Sequence, residues 1–95
     1  MDFEKIKTDI STGLPVLINP KGNSMYPRIK SGSQVILIQQ TSYEIDDVVF
    51  CKVGGNYYVH IIKQKNDQKG YMIGNNKGHI NGWTHNVFAK AFISA

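Results

Sequence analysis

Two residues in this chain have types and surroundings that could do chemistry together, Ser24 and His60. Ser24 stands in Gly22-Asn23-Ser24-Met25-Tyr26-Pro27. A serine after Gly-Asn and before Met-x-Pro sits where the backbone turns sharply at the end of a strand. Such a turn exposes the hydroxyl and frees backbone N–H groups around Asn23 and Met25. Those groups could stabilise an acyl-transfer oxyanion, at about 3–4 kcal/mol per donor. Pro27 holds the exit of the turn rigid. Taken alone, a serine in a Gly/Asn/Pro loop is a turn former far more often than a nucleophile. His60 lies in Tyr58-Val59-His60-Ile61-Ile62. With an unperturbed pKa of about 6.5, neutral imidazole can take a hydroxyl proton at working pH. Taken alone, it is more often a half-buried strand histidine with a satisfied hydrogen bond than a base. Strand alternation places Tyr58, His60 and Ile62 on one face and Tyr57, Val59, Ile61 and Lys63 on the other. If His60 faces Ser24, Lys63 does not.

The elements that must position these two residues are mostly short strands. Asp2 caps a short helix whose stripe is Phe3, Ile6 and Ile10, with Glu4 suited to its positive end and Gly13 and Pro15 ending it. Lys5 stands where a capping box needs Glu or Gln. Val16-Leu17-Ile18 reads as a strand, and residues 19–23 as a loop. Gln34 to Gln39 reads as a strand buried on both faces. Asp46-Asp47 turns into a strand from Val48 to Val53, and Gly54-Gly55-Asn56 makes a hairpin turn into the return strand Tyr57 to Gln64. A polar turn, Lys65 to Gly70, leads to Tyr71-Met72-Ile73, then a long loop, Gly74 to Thr84, and a last strand around Val87 to Ile93. The pattern predicts a mainly β fold: a compact coiled sheet or barrel with one short N-terminal helix. Residues 1–95 are expected to form one domain, with the helix in 1–13 and the β core in 14–95.

Composition narrows the function classes. At 41% hydrophobic and 19% charged, the chain is an ordinary globular one. The longest apolar run, Val35-Ile36-Leu37-Ile38, is far too short to cross a bilayer, and no secretory signal opens the sequence. A cytoplasmic protein without a membrane partner is the expectation. Cys51, the single cysteine, excludes an internal disulfide and reads as a buried small hydrophobe. The net charge of +4 is mild and its lysines are scattered, so nucleic acid is not the expected partner. His79 and His85 lack the cysteine or carboxylate spacing of a metal site, so neither metal nor cofactor is expected. Trp83 reads as a core plug or loop anchor, with an aromatic lid over a groove as the sharper alternative.

The run Gly22-Asn23-Ser24-Met25-Tyr26-Pro27-Arg28-Ile29-Lys30-Ser31-Gly32-Ser33-Gln34-Val35 resembles the Gly-x-Ser-Met-x-Pro-x-(hydrophobic)-x-x-Gly-Asp-x-Val signature of the LexA/signal-peptidase superfamily of serine peptidases. Asp46-Asp47-Val48-Val49-Phe50 is similar to its second block, and a hairpin then leads to a base-bearing strand matched by Tyr58 to Ile62. The resemblance spans roughly residues 14–92 and implies the LexA C-terminal/signal-peptidase catalytic fold. It aligns His60 with the general base, which is lysine in bacterial signal peptidases and LexA-like proteins and histidine in archaeal and endoplasmic-reticulum signal peptidases. The histidine-type loop begins Gly-Asp-Asn and later supplies an aspartate that orients the histidine. Here Gly74-Asn75-Asn76 begins that loop, and an ungapped count puts Asn81 at the later position. The resemblance thus implies a Ser24–His60 dyad or a Ser24–His60–Asn81 triad, with Asn75 and Asn76 as loop support. Asp46 or Asp47 could instead approach His60, and the asparagines could simply build the loop.

Ser33 and Asp46 depart from the two Gly-Asp pairs of the pattern. Neither a helix-turn-helix domain with its cleavage linker nor a membrane anchor accompanies the match. The expectation is a stand-alone peptidase domain from a mobile element or bacterial accessory locus. The leading function is peptide-bond hydrolysis, with the peptide or protein substrate added as an extra strand, a mode suited to small-residue cleavage sites. The alternative is a catalytically degenerate domain that binds peptides or self-associates as a homodimer through exposed edge strands. A small nucleic-acid barrel using Tyr57, Tyr58 and Tyr71 to stack bases is the third class, and strands carry such tyrosines for packing.

Overall fold

A computed structural model describes residues 1–93. Helix α1 (Phe3–Ile10) is followed by β1 (Val16–Ile18), β2 (Val35–Ile38), β3 (Val48–Val53), β4 (Asn56–Asn66), β5 (Gly70–Gly74), β6 (Ile80–Thr84) and β7 (Val87–Ile93). The strands form one antiparallel sheet in the order β1-β2-β7-β3-β4-β5-β6, so the fold is mainly β as expected. No helix among the described residues is long and apolar enough to cross a membrane.

Local chemistry explains the elements. Asp2 Oδ1 accepts from Lys5 N–H at 3.1 Å and caps α1, whose Ile6 and Ile10 are buried against the sheet. Gly54 and Gly55 both take positive φ (56° and 85°), the two-residue turn whose twist matches that of the strands it joins. Because that turn needs only two residues, Asn56 belongs to β4 and pairs with Val53. At the far end β4 runs to Asn66, and the turn is confined to Asp67–Lys69. There Asn66 Oδ1 accepts from the N–H groups of Gln68 and Lys69, both at 2.9 Å.

Alternation divides the core. Val48, Phe50 and Ile61 face one side with α1, Met25 and Ile29, while Val49, Cys51, Val53, Ile62 and Ile73 face the other. Phe50 and Ile62 are fully buried, and such side chains contribute about 1.5–3 kcal/mol each. Cys51 is buried as expected, and burial pushes its thiol up to about 12.

Two expectations need correction. β2 is not buried on both faces: Val35 and Leu37 are buried, but Ile36 and Ile38 are only half-buried. Its outward neighbours Leu17 and Phe92 are exposed, so nothing covers that face fully. The long loop Gly74 to Thr84 is not all loop, because Ile80–Thr84 is β6. Register shifts between Ile62 and Gln64 and between Ile73 and Gly74 bend β4 and β5, and strands bent by bulges coil back on themselves. β6 therefore returns over β3, where Thr84 Oγ donates to Lys52 O at 2.7 Å. That return brings residues after Gly74 back toward β4.

Candidate active site

The segment between β1 and β2 is irregular, and its conformation presents Ser24. Met25 and Ile29 are buried on either side of an otherwise exposed turn, with Ile29 N–H donating to Met25 O at 2.9 Å. Asn23 O accepts from Tyr26 N–H at 3.1 Å. The base of the loop is closed by Gly32 N–H to Pro20 O at 2.9 Å and by Gly22 N–H to the Ser31 hydroxyl at 3.1 Å. Two apolar anchors thus hold the turn while Ser24 stays exposed. Neither the Ser24 nor the Met25 N–H has a hydrogen-bond partner among the described residues.

His60 comes from the middle of β4, opposite Val49 of β3, and is 7% exposed. Ser24 Oγ lies 3.1 Å from its Nε2. On the other side of the ring, Nδ1 lies 2.7 Å from Asn81 Oδ1. Asn81 is on β6, and the return of β6 over the face that carries Tyr58, His60 and Ile62 sets it there. With Asn81 Oδ1 assigned to face the ring, Nδ1 carries the proton and donates it, and the Nε2 lone pair meets the Ser24 hydroxyl. Burial lowers the His60 pKa below its ordinary value. The Asn81 hydrogen bond opposes that shift in part, and the nearby His79 charge adds to it. The ring is therefore neutral at neutral pH and able to accept a proton.

The loop before β6 ties the two halves together. Asn76 N–H donates to Ser24 O at 3.0 Å, and its side-chain amide donates to Tyr26 O at 2.9 Å. Asn75 closes the loop on itself, its Oδ1 accepting from Lys77 N–H at 2.8 Å and His79 N–H at 3.0 Å. The carboxylates that could have competed for His60 are engaged elsewhere. Asp46 Oδ1 accepts from Arg28 at 2.6 Å, while Asp47 pairs with Lys90 at 3.4 Å and caps Glu44 N–H at 3.0 Å. His85 is bound to Gln68 O at 2.9 Å. Trp83 is half-buried on β6, with Lys69 Nζ 5.5 Å from its ring centroid.

Two neighbours of the site do not emerge from motif reading. Tyr58 stacks on His60 with ring centroids 4.9 Å apart, and its i, i+2 place on the same strand face was the available signal. The Arg28–Asp46 pair ties the exit of the Ser24 turn to the start of β3. Nothing in the sequence spacing couples those two residues.

A cleft of about 560 Å³ opens beside Ser24 and His60. Its walls include Phe3, Met25, Ile29, Tyr57 and Val59. Comparison with known families finds one described as Peptidase S24-like, whose sequence model matches residues 9–83. That range contains Ser24, His60 and Asn81 and covers well over half of the 95 residues. Searches of curated proteins and of solved structures find no significant match.

Proposed function

The chain belongs to the Peptidase S24-like family, and from that premise we propose that it hydrolyses peptide bonds with Ser24 as nucleophile and His60 as general base. The observation that carries this reading is the continuous line from Ser24 Oγ to His60 Nε2 at 3.1 Å and from His60 Nδ1 to Asn81 Oδ1 at 2.7 Å. As Ser24 Oγ attacks the substrate carbonyl carbon, its proton passes to His60 Nε2. The carbonyl oxygen takes up negative charge, and the N–H groups of Ser24 and Met25, which have no partner among the described residues, are the candidate donors to it. Collapse of that intermediate expels the amine, which takes the proton back from His60. Water then repeats the sequence on the acyl-Ser24 ester and regenerates the hydroxyl. Asn81 holds the ring in the tautomer that both halves require. The substrate would lie extended along the outer edge of β1, which among the described residues pairs only with β2 and leads into the cleft through Asn19.

Ser24→Ala is expected to abolish cleavage of a peptide library while leaving the fold unchanged, since the side chain is exposed. Cleavage that persists in Ser24→Ala refutes the reading. One observation favours a second possibility: the group on His60 Nδ1 is an amide, which cannot neutralise imidazolium as a carboxylate does. On that reading the domain binds peptide strands or a second copy of itself without turnover. Wild type and Ser24→Ala would then bind alike and cleave nothing.

A further inference from the structure

The peptidase reading leaves open what the cleft selects and why α1 sits where it does. Phe3, the first residue of α1, is half-buried and lines the same cleft as Ser24 and His60. Its ring lies 5.6 Å from that of Tyr57 at an interplanar angle of 25°, and Tyr57 in turn stacks on Phe50 at 5.4 Å and 6°. Phe50 is fully buried, so this column of rings is rooted in the core. The next helix residue fixes the column from outside, because Tyr57 Oη donates to Glu4 Oε1 at 2.6 Å. Lys52 Nζ completes the clamp at 4.9 Å from the Tyr57 ring centroid and 3.8 Å from Glu4. The helix thus sets the pose of one cleft wall and supplies another.

We propose that α1 is part of the substrate site: Phe3 and Tyr57 bound a cleft that admits a bulky apolar side chain of an extended peptide, in preference to a small or cationic one. This rests on the reading of Ser24 and His60 as a peptide-bond site. Met1, Pro20, Met25, Ile29 and Val59 add further apolar surface, and the cleft's volume of about 560 Å³ exceeds what an alanine methyl could fill. No carboxylate lines it among the described residues, and Lys21 is its only charged side chain. A lysine or arginine entering there would lose hydration without gaining a counter-charge. A leucine or phenylalanine would exchange water for apolar contact on several sides.

The test uses the Ser24→Ala chain, which cannot turn its ligand over, and short end-blocked peptides that differ at one central residue: Leu, Phe, Ala or Lys. Binding is followed by NMR through the methyl groups of Met25, Ile29 and Val59. The Leu and Phe peptides are expected to bind roughly 10- to 100-fold more tightly than the Ala peptide, the ratio that full burial of such a side chain supplies. The Lys peptide is expected to bind no better than Ala. Phe3→Ala in the same background should remove most of that preference, with unshifted Val49 and Ile73 signals showing an intact second core. Phe3→Trp, which narrows the cleft and keeps the stack, should move the preference from Phe toward Leu. Equal binding of all four peptides, a Lys preference, no binding at millimolar peptide, or an unaltered preference in both Phe3 variants overturns the proposal. Hydrolysis by the wild type separates the two readings. Preference without hydrolysis removes the catalytic role alone, and hydrolysis indifferent to the central residue removes the selectivity alone.

Discussion

Replacing Asn81 tests the coupling between tertiary structure and chemistry most directly. His60 is 7% exposed, and Asn81 Oδ1 at 2.7 Å is the hydrogen-bond acceptor at its Nδ1. In Asn81→Ala a buried donor loses its partner, at a cost of about 1–3 kcal/mol. The ring escapes that cost by carrying its proton on Nε2, where it donates to Ser24 Oγ and can no longer accept from it. A tautomer bias of that size leaves the base-competent form roughly 5- to 150-fold rarer. The rate of Ser24 acylation should fall by that factor, with little change in KM because Asn81 does not line the cleft. Asn81→Asp puts a carboxylate at the same place. It strengthens the hydrogen bond about twofold and favours imidazolium, and it should raise the acid limb of the pH–rate profile by about one pH unit. The assay is the burst of p-nitrophenol from an activated ester, with the acyl group located on Ser24 by mass spectrometry across a pH series. A wild-type rate and profile in Asn81→Ala, or a downward shift in Asn81→Asp, would refute the argument that Asn81 fixes the tautomer.

Three further outcomes follow from single residues. Burial lowers the His60 pKa in the folded state, so between that pKa and the unfolded value of about 6.5 the unfolded chain binds more protons. The associated stability is fully present above the unfolded value and is lost as pH falls through the folded one. Urea midpoints should therefore decline on acidification from neutrality, with a shallower slope in His60→Gln. Asp46 holds φ at 77°, the only described non-glycine residue with positive φ, at the point where the family pattern has glycine. Asp46→Gly should change stability by less than about 1 kcal/mol, because relief of the left-handed strain offsets loss of the half-exposed Arg28 pair, whereas Asp46→Val should cost about 1–2 kcal/mol. Urea denaturation of the two variants checks the difference. Gly70 has φ of 87°, and a Cβ there would collide with the Thr84 carbonyl, 2.9 Å from its carbon and closer still to its oxygen. Gly70→Ala should cost more than about 2 kcal/mol by denaturation and weaken the β5–β6 pairing that carries Asn81, which hydrogen exchange at β6 would show.

Much of the molecule is legible in the residues because it depends on local rules. Gly54-Gly55 has one economical turn geometry, so the β3–β4 hairpin could be placed to within a residue. Alternation along β4 put Tyr58, His60 and Ile62 on one face, and His60 is the residue that meets Ser24. β6 was missed for the opposite reason. Ile80-Asn81-Gly82-Trp83-Thr84 has one aliphatic residue, and its strand state comes from pairing with β5 under bulges that no local pattern announces. β2 reads as a doubly buried strand because its four apolar residues look alike, although only neighbours in the sheet determine which face is covered.

The candidate site divides in the same way. Sequence by itself determined which groups are available: a hydroxyl in a tight turn, an imidazole in the middle of a strand, and an asparagine-rich loop without an aspartate. These follow from residue type and short spacing, which the chain carries wherever it goes. Tertiary structure decided that they meet. Ser24 and His60 are 36 residues apart, and His60 and Asn81 are 21 apart, so each hydrogen bond requires the sheet to be closed first. Only the coiling of β4, β5 and β6 selects Asn81 as the partner of His60 and leaves Asp46 and Asp47 to Arg28 and Lys90. The physical reason is that a hydrogen bond acts over about 3 Å, a distance that residue order does not encode between distant segments and that packing alone sets.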